Sequence, residues 1–215
     1  MGNFVVIPAY NEGEKIIPVV EQAKKFADKV VVVDDGSKDD TYEIAMKLGV
    51  VALQHPVNMG KGATLKTGCD FAVMLGAERI VVIDGDGQHQ PSEIPSFFAA
   101  LDNHDIVFSY RKVSKDMPKV LKFGNWFINT STKVLFGVSI KDTQCGYRGF
   151  SADAYRKVRW RARDYFMETE MIINTGKRKL NYTQIPIETI YADKYKGTTV
   201  IDGVKIVMKM IAGRL

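Results

Sequence analysis

The chain has 215 residues, is 46% hydrophobic and carries a formal net charge of +5, which is enough apolar material for one well-packed domain. No apolar run reaches about 18 residues, which argues against a membrane-spanning helix; the start, Met1-Gly2-Asn3-Phe4, lacks a secretory leader pattern; and the two cysteines, Cys69 and Cys145, make neither a disulfide framework nor a zinc site. Charge is uneven: residues 1–110 hold 9 Lys+Arg against 16 Asp+Glu, and residues 111–215 hold 21 against 9, so an acidic half able to hold a metal precedes a basic half able to hold anions.

Phe4-Val5-Val6-Ile7 predicts a first strand, stopped by Pro8. Glu14 to Ala27 carries apolar residues at helical spacing (Ile16, Ile17, Val20, Ala23, Ala27). Val30–Val33 predicts strand two, and Ser37 or Asp39 is placed to cap a helix from Thr41 to Leu48. Val50–Leu53 is strand three, Lys61 to Leu75 a helix, Ile80–Ile83 strand four, Pro91 to Leu101 a helix and Ile106–Phe108 strand five. This alternation predicts an α/β fold with a mostly parallel central sheet covered by helices on both faces. Beyond Arg111 the pattern changes. Lys112–Lys119 is polar, Lys122–Phe136 helical and aromatic-rich, Ser151–Val158 and Tyr165–Thr175 shorter helices. Ile185–Ile190, with Pro186, reads as an edge strand, and Val200–Ile211 as an amphipathic helix. One domain is expected, with no internal repeat or dividing linker.

The strand ends carry the chemistry. Arg79-Ile80-Val81-Val82-Ile83 empties into Asp84-Gly85-Asp86-Gly87-Gln88, and Val30–Val33 empties into Asp34-Asp35. In open α/β sheets the carboxyl ends of the strands are where ligands bind. Residues i and i+2 of an extended segment point the same way, so Asp84 and Asp86 can face one space. Two carboxylates in one crevice repel unless a cation accompanies them. Hard oxygen donors suit Mg²⁺ or Mn²⁺, which complete their shell with phosphate oxygens and water. The junction therefore points to metal-assisted chemistry on a phosphorylated substrate.

Val6-Ile7-Pro8-Ala9-Tyr10-Asn11-Glu12, Val33-Asp34-Asp35-Gly36-Ser37, Asn58-Met59-Gly60-Lys61-Gly62 and Asp84-Gly85-Asp86 fall in the order and spacing of family 2 glycosyltransferases with the GT-A fold, which the chain resembles over nearly its whole length. Asp142-Thr143-Gln144-Cys145-Gly146-Tyr147-Arg148 resembles the acceptor-side motif of the polyprenyl-phosphate branch, which includes dolichol-phosphate mannosyltransferases and their glucosyl relatives. The resemblance implies that Pro8, Tyr10 and Glu12 hold the nucleoside, that Asp35 receives the base while Asp34 is structural, and that Asp84 lies near the ribose or metal. It implies Asp86 and Gln88 as metal ligands, with His89 a polar neighbour. Arg111 would face phosphate, as would Lys61 in its Gly-rich turn, and Arg148 would grip an acceptor phosphate or the leaving diphosphate. Lys196-Gly197-Thr198-Thr199 would close over the phosphates, and Glu168 and Glu170, at a helix start, would serve as capping acids. The chain departs from the usual pattern in having Gly85 between the two acids and Cys145-Gly146-Tyr147-Arg148 where Ser-Gly-Phe-Arg is common.

The implied reaction is inverting transfer of a hexose, mannose or glucose, from GDP-mannose or UDP-glucose to a polyprenyl or dolichyl phosphate. Residues 1–110 would form the donor and metal half and 111–215 the acceptor half. A lipid phosphate is already anionic, so no strong base is needed; a hydroxyl acceptor would need one, and Asp142 is the candidate. Arg156-Lys157-Val158-Arg159-Trp160-Arg161-Ala162-Arg163 suggests peripheral contact with an anionic membrane face from a cytoplasmic location. No nucleic-acid partner is expected. The alternatives of another class are a haloacid dehalogenase-like phosphatase, suggested by Ile83-Asp84-Gly85-Asp86-Gly87, and a non-catalytic nucleotide-sugar-binding module; a sugar-nucleotide pyrophosphorylase would need an Arg/Lys-bearing loop where Pro8–Glu12 stands.

Overall fold

The computed structural model describes residues 2–111, 129–130 and 132–188. The seven-stranded sheet has the order β3-β2-β1-β4-β6-β5-β7. Its strands are β1 (Asn3–Ala9), β2 (Lys29–Asp34), β3 (Val51–Gln54), β4 (Arg79–Val82), β5 (Ile106–Arg111), β6 (Arg148–Ser151) and β7 (Tyr182–Ile187). Pairs β1/β2, β2/β3, β1/β4 and β5/β7 are parallel. Only β6 runs the other way, between β4 (Ile80 opposite Phe150) and β5 (Phe108 opposite Arg148).

The helices packed on the sheet include α1 (Ile16–Ala23), α2 (Thr41–Lys47), α3 (Lys61–Met74), α4 (Ile94–Ala100), α5 (Ala152–Val158) and α6 (Phe166–Lys177). They cover both faces because the strands are apolar on both. Phe4, Val6, Val31, Val33, Ile80 and Val82 pack against Leu65 and Cys69 of α3, Tyr155 of α5 and Met171 of α6. The alternate residues Val5, Ile7, Val30, Val32 and Val81 pack against Ile16 and Val20 of α1 and Phe97 of α4. Strands buried on both sides read as near-continuous apolar runs, as parallel strands do.

The expected alternation through strand five is present, with two helices opening on a 3-10 turn, Gly13–Lys15 before α1 and Pro91–Glu93 before α4. Asp39, not Ser37, supports the start of α2, accepting the Thr41 N–H at 3.2 Å. The expected edge strand is β7, shifted three residues toward the N-terminus; positions 189–190 lie outside the described residues. β6 is the element that the sequence reading lacks. Residues 112–119, most of the expected helix 122–136, the 196–199 loop and the expected helix 200–211 lie outside the described residues; within that first helix, 129–130 and 132–136 are helical.

Candidate active site

The parallel strands deliver their carboxyl ends to one rim, and the reversed β6 begins there, so the 142–147 segment joins β1, β2, β4 and β5 at the same place. At the end of β1, Asn11 takes a left-handed conformation (φ 53°). Its N–H donates to Ser37 Oγ at 2.8 Å and its Oδ1 accepts the Lys38 N–H at 2.8 Å. The N–H groups of Glu12 and Gly13 donate to Thr41 Oγ1. These bonds tie the turn that carries Tyr10 and Glu12 to the loop after β2. Tyr10 is 40% exposed, so its ring is available to a ligand, whereas Pro8 is buried.

The acidic loop after β4 lies against this turn: a Cβ on Gly85 would sit 3.0 Å from the Pro8 carbonyl oxygen. Asp84, Asp86 and Gln88 are all half-buried there. Asp86 Oδ1 accepts the Gln88 N–H at 3.0 Å, which closes a tight turn around the acid. Among the described residues no three His, Cys, Asp or Glu side chains group closely enough to hold a metal by themselves. Two carboxylates and an amide oxygen on one turn fit a hard divalent cation whose shell is completed by a ligand's oxygens.

Asp84 already has a cationic neighbour. The Lys61 ammonium lies 2.9 Å from its Oδ1 and 3.1 Å from its Oδ2, and 3.1 Å from Glu168 Oε1; the Tyr165 ring lies 5.6 Å from it. Burial pushes the Asp84 carboxyl up, but Lys61, with His89 and Arg111 nearby, holds it below the usual range overall. Burial prevails at Glu168, whose carboxyl is raised despite Lys61 and Arg148. For Lys61, burial opposes the charge but the two acids outweigh it, and the ammonium keeps its proton more firmly than an ordinary lysine. Gly146 makes this packing possible. A Cβ there would meet Lys61 Nζ at 2.8 Å and Asp84 Oδ2 at 2.9 Å. Lys61 is aimed by Gly60, which adopts φ 92° and whose Cβ position is filled by the Arg163 carbonyl oxygen.

Arg111, the last residue of β5, forms a two-pronged ion pair with Asp142, Nε to Oδ2 at 2.7 Å and Nη2 to Oδ1 at 3.1 Å. Asp142 Oδ1 also accepts the Gln144 N–H at 3.2 Å. His89 is buried and stacks on Tyr147 with ring centroids 5.4 Å apart. Burial lowers its pKa against the pull of Asp84 and Asp86.

Three expectations meet different surroundings. Arg148, expected at a phosphate, is 1% exposed. Its guanidinium donates to the carbonyl oxygens of Cys145 (2.9 Å), Glu168 (2.7 Å) and Thr143 (2.8 Å) and lies over the Phe108 ring. As the first residue of β6 in the middle of the sheet, it pins the 143–147 segment to α6. Asp35, expected at the base, is 3% exposed. It accepts from His55 Nδ1 (2.7 Å), Met59 N–H (2.9 Å) and Gly60 N–H (2.8 Å), holding the loop before α3. Asp34 is structural as expected, accepting from Ser37 and Gln54. Trp160, expected beside a membrane, is 1% exposed and donates to the Gly62 carbonyl at 2.7 Å. In the same basic stretch Arg156 pairs with Asp153 and Arg159 with Asp70.

Glu168 and Glu170, expected as capping acids at a helix start, meet other partners. Glu170 instead receives the N–H groups of Arg161 and Ala162. Glu168 faces Lys61, and the signal for this was helical spacing: Glu168, Met171, Ile172 and Thr175 form one buried stripe, and an acid on such a stripe needs a cation.

Residues 4–159 match the family described as "Glycosyl transferase family 2". An uncharacterized protein of Methanocaldococcus jannaschii is 36% identical over 223 residues, spanning 99% of this chain and 92% of that protein. A protein of Methanococcus voltae named UDP-N-acetylglucosamine–dolichyl-phosphate N-acetylglucosaminyltransferase is 34% identical over 236 residues, spanning 97% of this chain and 94% of that protein. Among solved structures, glucosyl-3-phosphoglycerate synthase from Mycobacterium tuberculosis, in complex with Mn²⁺, uridine diphosphate and glucosyl-3-phosphoglycerate, superposes with a TM-score of 0.79 at 20% identity, covering 98% of this chain and 79% of that one.

Proposed function

Because the chain belongs to glycosyl transferase family 2 and has its GT-A fold, we propose that it transfers a hexose from a nucleoside diphosphate sugar to a polyprenyl phosphate, with inversion at the anomeric carbon. The observation that carries this reading is the half-buried turn of Asp84, Asp86 and Gln88, set against the β1 turn of Pro8, Tyr10 and Glu12 at the rim of the sheet. In this reading Tyr10 and Glu12 contact the nucleoside. Asp86 and Gln88, with Asp84, hold Mg²⁺ or Mn²⁺, and Lys61 and Arg111 face the phosphates. A divalent cation there supplies positive charge against the leaving diphosphate. The name of the Methanococcus voltae relative adds UDP-N-acetylglucosamine to the candidate donors GDP-mannose and UDP-glucose.

A phosphate acceptor also suits Asp142. Both of its oxygens are taken by Arg111 and one also by the Gln144 N–H, so it is poorly placed to remove a proton from a hydroxyl. The phosphate oxygen attacks unaided, while Arg111 and Lys61 offset the charge that grows on the departing group. The sheet order groups β1–β4 on one side and β5–β7 on the other, so the proposed donor half, residues 1–110, also contributes β5 to the side otherwise formed by the proposed acceptor half, residues 111–215. Among the described residues no helix is long and apolar enough to cross a membrane. A cytoplasmic enzyme meeting its lipid at the membrane surface would do so without Trp160. Family membership leaves no support for the phosphatase reading, and the acidic turn follows the fourth strand of the chain where that chemistry would use the first.

The test is a transfer assay with each of the three donors, a polyprenyl phosphate and Mn²⁺. Asp86→Ala should lower turnover at saturating donor by at least about 100-fold. Near wild-type turnover would remove the metal assignment, and release of inorganic phosphate without sugar transfer would remove the reaction class.

A further inference from the structure

Lys61 occupies the place where a cation would first meet Asp84. Its ammonium is within 3.1 Å of three carboxylate oxygens, two from Asp84 and one from Glu168. The Lys61 side chain is 18% exposed and that of Asp84 22%, whereas Glu168 is closed off at 3%. Gly146 seals the cluster from above with no room for a side chain. The ammonium therefore has a fixed tether on its inner side and an exchangeable partner on the side facing the acidic turn. We propose that Lys61, tethered by Glu168, is the resident counter-ion of Asp84 and makes divalent-metal binding conditional on the donor's diphosphate; this rests on the function proposed above.

The physical reasoning is charge balance. A divalent cation approaching Asp84 in the empty protein meets a like charge about 3 Å from the same carboxylate, which weakens its binding. A diphosphate brings negative charge for both cations at once. The Lys61 ammonium then turns from Asp84 toward the phosphates without leaving Glu168, and Asp84 is released to the metal. Linkage makes the effect reciprocal: the metal tightens nucleotide by the same factor by which nucleotide tightens metal. Glu168 is a positioning residue here, acting through Lys61.

The test is Mn²⁺ binding followed by electron paramagnetic resonance, without substrate turnover, alone and with UDP or GDP. The wild-type protein should hold Mn²⁺ weakly alone and about 100-fold more tightly with one of the two nucleotides. The double variant Lys61→Met/Glu168→Gln removes the buried Glu168 charge together with its cation and leaves the half-buried Asp84 carboxylate without its ammonium partner. It should bind Mn²⁺ alone about tenfold more tightly than the wild type and show correspondingly smaller coupling. Glu168→Gln alone commits the whole Lys61 charge to Asp84 and should shift metal-alone binding the opposite way. Equal metal-alone affinities in all three proteins would overturn the inference, as would undiminished coupling in the double variant. If neither nucleotide binds any of the proteins, the proposed function fails, while the metal-alone comparison still decides the role of Lys61.

Discussion

Replacing Arg148 with Met separates a phosphate-binding arginine from a buried strut. The guanidinium makes three charge-assisted bonds to the carbonyls of Thr143, Cys145 and Glu168, all in a site that is 1% exposed. Met fills much of the same volume but donates nothing, and each carbonyl stranded without a donor costs about 1–3 kcal/mol. Removing the burial cost of the charge returns part of this, which leaves a net loss of about 3–5 kcal/mol. Domains of this kind are stable by about 5–15 kcal/mol, so the variant should fold but unfold at a urea midpoint lower by more than about 1 M. Arg148→Lys should recover little, because one ammonium cannot reach three carbonyls set by a planar fork. The assay is equilibrium urea denaturation beside donor and acceptor KM on the same preparations. A variant within about 0.5 kcal/mol of the wild type, with a selective rise in KM for either substrate, would refute the strut and return Arg148 to the phosphates.

Three further outcomes follow from the packing. Gly146→Ala forces a methyl to within 2.8 Å of Lys61 Nζ; melting curves should register a loss of about 1–3 kcal/mol, and metal-dependent transfer should fall with it. Trp160→Phe removes the indole bond to Gly62. It should cost about 1 kcal/mol of stability yet leave flotation with anionic liposomes unchanged; weakened flotation in a fully folded variant would restore the membrane role. At Asp70, burial favours the protonated acid, but bonds from Arg159 and Tyr155 outweigh it and hold the carboxyl below its ordinary 3.8. A depressed folded-state pKa stabilises above the unfolded value and the benefit disappears as pH falls through the folded one. The stability gap between the wild type and Asp70→Asn should therefore be full at pH 7 and shrink below about pH 4, a modest gap because the pair is exposed.

The first five strands and their helices were legible because each is a short apolar run framed by Gly, Pro or acids, and strand ends mark where a ligand site lies. β6 was not, because Arg-Gly-Phe-Ser has no β-branched residue and no alternation; it is a strand only because β4 and β5 leave a gap that its backbone fills. Family resemblance places Arg148 at a phosphate, and a run of basic neighbours places Trp160 at a membrane; for both, the tertiary fold instead brings carbonyls to bond inside. Asp35 was read as reaching a ligand when its two oxygens are taken by a loop more than twenty residues away in sequence. Local pattern located the site, while the partners of its buried polar groups depended on contacts across the chain.

The order of the strands also bears on how the molecule is made. β5 has no partner among β1–β4; it pairs only with β6 and β7, both later in the chain. A ribosome that has delivered the first 111 residues has therefore released a four-stranded sheet whose β4 flank is bare, together with an apolar segment, Ile106–Phe108, that has nowhere to dock. Both stay uncovered until residues 148–151 leave the exit tunnel and stitch them together, so the nascent polypeptide is most vulnerable to aggregation, and most in need of chaperones, between the emergence of β5 and that of β6.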